Sequence, residues 1–100
     1  MKPKRIQRRR TKGWKMPKNT ISVTRPGRWG NEFKVDQYTP DREECIRAFK
    51  EKKLAQQRAN PWWFEEFYLE PIRGKNLACF CPLSENCHAD FWLELSNEKI

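Results

Sequence analysis

One hundred residues with 37% hydrophobic and 34% charged side chains allow a single domain around one small core. A mean hydropathy of −1.03 and the lack of any long apolar run exclude a membrane-spanning helix. The formal charge of +8 is uneven, because nine Lys and Arg fall in the first eighteen residues and the first acid is Glu32.

No apolar stretch follows the basic N-terminus, so it does not read as a secretory signal. Cytoplasmic residence is the expectation. Its cysteines would then be reduced, which ranks metal binding, thiol reactivity and plain burial ahead of disulfides. Residues 1–12 read as a disordered basic arm preceding an α/β domain over 13–100. Lys4, Arg5, Arg8, Arg9, Arg10 and Lys12 of this arm suit nucleic-acid phosphates, with salt-dependent and sequence-blind affinity. A merely solubilising tail is the plainer alternative. Trp14 and Met16 interrupt the basic run and should dock the chain onto the body.

Ile21-Ser22-Val23-Thr24 alternates apolar and polar residues and predicts a short strand. Pro26, Gly27 and Gly30 then force a loop over Arg25–Asn31. Phe33 to Tyr38 reads as a second short strand. Thr39-Pro40-Asp41 resembles a helix N-cap, a Pro at the first helical position and an acid in the first turn. The helix it opens reaches about Arg58, with Cys45, Ile46, Ala48, Phe49 and Leu54 on its apolar face. Asn60-Pro61 repeats the cap signal for a helix from Trp62 to Glu70, ended by Pro71 and Gly74. Leu77 to Cys81 is a buried strand stopped by Pro82. A last helix starts near Cys87, capped by Ser84 or Asn86, and runs to Asn97 with His88, Phe91, Trp92 and Leu95 on one face.

The element order predicts a small single-domain α/β fold, with a short parallel sheet of two or three strands packed by about three helices. Parallel strands put the Arg25–Asn31 loop and the Cys81–Asp90 loop and helix start on one edge, where open α/β sheets bind ligands. Arg25 and Arg28 would meet phosphate there, Trp29 would stack on a base, and Gly30 would let backbone approach. Asn31 and Asp90 would hydrogen-bond base or sugar, and the helix start at Cys87-His88 would attract anions.

The stretch from Cys79 to His88 holds three of the four cysteines and the only histidine. Three readings stay open for it. Cys79, Cys81, Cys87 and His88 could complete a zinc site, although adjacent Cys87 and His88 diverge on a helix. Alternatively, Cys87 at a helix start could be an activated thiol with His88 as base or acid and Asp90 as an orienting group. Finally, the cysteines could simply pack as small hydrophobes.

Four ordered stretches carry a family resemblance. They are Lys12-Gly13-Trp14-Lys15-Met16-Pro17, then Arg25-Pro26-x-x-Trp29-Gly30-Asn31-x-Phe33, then Arg73-Gly74-Lys75-x-Leu77-x-Cys79-Phe80-Cys81-Pro82, and Cys87-His88-Ala89-Asp90. Together they resemble a domain-of-unknown-function family of phages and bacteria, of the DUF4326 type, over roughly residues 11–97. The chain has Gly27 where that family usually has Ser and Glu32 where it usually has Pro. The resemblance implies a phage or bacterial origin and a shared purpose for the two loops, but no activity.

The leading functional expectation is therefore a cytosolic domain that binds a nucleotide or a nucleic-acid phosphate between the two loops. A Cys/His-dependent enzyme acting on a nucleotide-like substrate is the first alternative. A phage-type protein that binds and inhibits a host protein, through an aromatic surface drawn from five Trp, is the second. No membrane partner is expected.

Overall fold

Three short strands, β1 (Arg5–Gln7), β2 (Thr20–Ser22) and β3 (Asn76–Cys79), make a parallel sheet in the order β1-β3-β2. The structure, a computed structural model, describes residues 3–25, 27–35 and 41–97. Between β2 and β3 run α1 (Arg42–Ala59) and α2 (Pro61–Phe64). The latter continues through a π turn (Glu65–Leu69) and a 3-10 turn (Glu70–Ile72), and α3 (His88–Asn97) closes the chain. The expected class, a small parallel α/β domain with three helices, is what is observed.

The register pairs Arg5 with Leu77 and Gln7 with Cys79 on one side of β3, and Thr20 with Asn76 and Ser22 with Ala78 on the other. β3 is thus buried between two neighbours, which explains its continuous apolar run. Residues 5–7 were expected within a disordered arm; they are instead an edge strand. Backbone pairing holds them, and the Arg8 N–H extends it to the Cys79 carbonyl at 2.7 Å. The stretch 31–35 is irregular rather than a strand, and the rest of that expected strand, residues 36–38, lies outside the described residues.

The helix caps follow local chemistry, with two shifts. Asp41 caps α1 by accepting the Glu44 N–H at 2.8 Å, while the expected cap Thr39 and Pro40 lie outside the described residues. Asn60 caps α2 by accepting the Trp63 N–H at 3.1 Å, with Pro61 in the first turn as expected. Asn86, one of the two expected caps of α3, donates its amide to Glu43 near the start of α1.

The core is aromatic. Phe49 of α1 meets Trp92 of α3 edge-on at 5.7 Å, and Tyr68 stacks on the other side of Trp92 at 5.2 Å. Val23, Phe64, Ile72 and Leu77 complete it, all fully buried. Each such side chain contributes about 1.5–3 kcal/mol through burial. Lys53 is also buried, and its ammonium donates to the Tyr68 hydroxyl at 3.2 Å while lying over that ring. Among the described residues no helix is long and apolar enough to cross a membrane.

Candidate functional site

All three strands run the same way, so the segments leaving β1, β2 and β3 gather at one carboxyl edge. There they enclose a cavity of about 560 Å³, within the range that holds small-molecule ligands. Thr24, Arg25 and Asn31 form one wall, and Phe80, Cys81, Cys87 and His88 form the facing one. The two loops expected to meet do face each other, and His88 ties them: its Nε2 lies 2.6 Å from the Val23 carbonyl, to which it donates.

The cavity is cationic. Arg10, Arg25, Lys34 and Arg42 line it, and among the described residues no Asp or Glu does. Only Arg25 of this group was singled out from the first loop, and Arg10 had been placed with the arm. Nothing in the sequence marks Lys34. Arg42 did leave a signal: it sits in the first turn of α1, where the helix dipole disfavours a cation. Its guanidinium is held there by Glu85 and by the Cys81 thiol.

Several expected ligand contacts lie elsewhere, for identifiable reasons. Pro71 has no N–H to offer the carbonyl one turn before it, so the Phe67 carbonyl is left for Arg28, which donates to it at 3.1 Å and covers the Phe67 ring. Trp29 gives its indole N–H to the Tyr68 carbonyl at 2.8 Å, and its own carbonyl accepts from Trp92 at 2.9 Å. Trp29 therefore packs against the core and is not among the residues lining the cavity, whose aromatic side chains are Phe33 and Phe80. Gly30 does serve a close approach, but to the chain itself: a Cβ would stand 2.8 Å from Arg25 Cα and N. Asn31 lines the cavity while shaping its own loop, accepting the Phe33 N–H and donating to the Cys45 carbonyl. Asp90 is not in the cavity wall; it pairs with Arg5 at 3.0 Å.

Arg5 is likewise not a free cation of an arm. Its side chain is only 8% exposed. Beyond Asp90, it donates to the carbonyls of Pro82, Leu83 and Glu85 and so fixes the loop between β3 and α3. Arg8 bonds the hydroxyls of Ser22 and Thr24, and Arg8 and Arg10 both lie over the Phe80 ring. Lys4, Arg9 and Lys12 remain exposed.

Within the cavity wall the sulfur atoms of Cys79, Cys81 and Cys87 lie within 4.8 Å of one another. The sulfurs of Cys79, at the end of β3, and Cys81, in the loop after it, are 3.5 Å apart. The Cys81 thiol is held well below the usual thiol range, first by donation from the Cys79 thiol, then by the Cys87 thiol, with Arg42 adding to both. Cys87 moves the other way. Its bonds to Cys79 and Cys81, and then its burial, push it up, while the Ala89 N–H at the helix start pulls it down. His88 is not part of the sulfur group. Its Nδ1 is 3.5 Å from the Cys87 sulfur, its ring packs edge-on against Phe49 at 5.5 Å, and burial pulls its pKa down. Cys45, expected in the core, is buried but borders the cavity.

The family model described as Domain of unknown function (DUF4326) matches residues 6–98. That span begins inside β1, in keeping with a strand where an arm was expected. Neither the curated proteins nor the solved structures contain a match to the chain.

Proposed function

The chain belongs to the DUF4326 family, and we propose that it is a phosphate-binding module that takes a nucleotide, free or as part of a nucleic acid, in the cleft at the carboxyl edge of its sheet. The observation that carries this reading is a nucleotide-sized cavity lined by Arg10, Arg25, Lys34 and Arg42, with no carboxylate among the described lining residues. Such a wall concentrates anions and offers forked donors to phosphate oxygens. Exposed Lys4, Arg9 and Lys12 lie outside the cavity wall and add affinity for a longer phosphate backbone.

The test is a titration with a nucleoside triphosphate and, separately, with a short single-stranded oligonucleotide, each at two salt concentrations. Replacing Arg25 and Arg42 together by Ala should weaken both ligands by about tenfold or more, equivalent to about 1.4 kcal/mol. A steeper salt dependence for the oligonucleotide identifies the added contribution of the exposed cations. Unchanged affinity in the double variant would remove the cleft from consideration.

A Cys/His-dependent enzyme acting on a nucleotide-like substrate is the second reading. It is favoured by the Cys81 thiol, which borders the cleft beside Arg42 and is lowered by its bonds from the neighbouring thiols and then by Arg42. Its nucleophile would be Cys81 rather than Cys87. Loss of turnover in Cys81→Ser, with nucleotide binding retained, is the result that reading requires.

A further inference from the structure

We propose that Cys79, Cys81 and Cys87 bind one zinc ion as three thiolates, with the fourth coordination position opening into the cationic cleft. A tetrahedral zinc with Zn–S bonds of about 2.3 Å spaces its sulfurs by about 3.8 Å. The three sulfurs lie within 4.8 Å of one another, and the Cys79–Cys81 pair stands at 3.5 Å, so little movement would bring all three onto one ion. The donors are also well supported. Cys79 ends the central strand, Cys87 immediately precedes α3, and the loop carrying Cys81 is pinned by Arg5.

Soft sulfur donors select zinc over the hard cations that favour oxygen. Zinc with three thiolates carries one net negative charge, and Arg42 beside Cys81, with Arg10 and Arg25 on the same wall, offsets it. The described residues supply three ligands. Among the described residues no further Cys, His, Asp or Glu joins the three-sulfur group; the His88 Nδ1 lies 3.5 Å from the Cys87 sulfur but outside that group. Because all three cysteines line the cavity, water or an anion from the cleft can reach the remaining position. Three protein ligands with one open position is the composition of a reactive zinc centre, whereas structural sites are closed by a fourth protein ligand. The site rests on sulfur geometry and stands independently of what else the cleft binds.

The test uses the full chain purified without chelator. Elemental analysis should find one zinc per chain, and exchange for cobalt should give a thiolate-to-cobalt charge-transfer band. Cys81→Ser should lose the stoichiometric metal, while Cys45→Ser and His88→Gln should keep it. Since a cysteine variant can fail to fold, the wild-type protein supplies a second measurement. Alkylation followed by mass mapping should label Cys79, Cys81 and Cys87 only after chelator is added. Substoichiometric metal, equal labelling with and without chelator, or loss of cobalt in His88→Gln would each overturn the three-thiolate assignment.

Discussion

Replacing Arg5 by Met keeps the aliphatic stem and removes the guanidinium that joins β1 to the β3–α3 loop. The side chain is 8% exposed and serves the carbonyls of Pro82, Leu83 and Glu85 as well as the Asp90 carboxylate. A hydrogen bond from a charged donor is worth about 1.5–3 kcal/mol net when buried. Four of them do not sum, because Asp90 and the loop carbonyls are partly open to water, which replaces some of what is lost. The expected cost is about 3 kcal/mol, which in a domain of this size lowers Tm by about 12–24 °C. Arg5→Lys should recover only part of it, since an ammonium has no second nitrogen to hold Asp90 while the first serves the loop carbonyls. Arg9→Met is the control: Arg9 is exposed and should change stability by no more than about 0.5 kcal/mol. Thermal and urea denaturation read all three variants. Equal midpoints for Arg5→Met and Arg9→Met would show that residue 5 belongs to a solvated arm and that the reasoning is wrong.

Two further substitutions separate loop architecture from ligand contact. Gly30→Ala drives a Cβ to 2.8 Å from the Arg25 backbone and should cost about 1–3 kcal/mol, visible as a lowered denaturation midpoint. Trp29→Phe removes the indole donor to the Tyr68 carbonyl and should cost about 1 kcal/mol or more, while nucleotide affinity stays unchanged. Weakened nucleotide binding at unaltered stability would return Trp29 to a stacking role.

The elements that could be read from residues are those whose periodicity reports burial. β3 shows a continuous apolar run because it lies between two strands, and α3 shows its core face through His88, Phe91 and Trp92. β1 was invisible for the opposite reason. Ile6 is its only apolar residue, and what holds the strand is backbone pairing plus the side chain of Arg5, neither of which leaves a hydrophobic pattern. The cleft followed from parallel pairing alone, since that places two loops on one edge. Which loop residues face it did not follow. Arg28 and Trp29 are drawn away by carbonyls exposed where the helix after Asn60 changes from α to π to 3-10 geometry, a change of register that no propensity in Glu65–Leu69 announces. The thiol cluster was legible as spacing, yet spacing did not show that the His88 Nε2 is taken by a carbonyl sixty-five residues away in sequence.

A phosphate ligand in the carboxyl-edge cleft is most directly tested by following backbone amide resonances of the isotope-labelled protein during titration with a nucleoside triphosphate. The account predicts saturable shifts concentrated at Thr24, Arg25, Asn31, Phe80, Cys81 and His88, the residues that face one another across the cavity. Shifts confined to the exposed aromatic pair Trp62 and Trp63, or to the residues around Arg9 and Lys12, with the cavity wall unmoved, would contradict it.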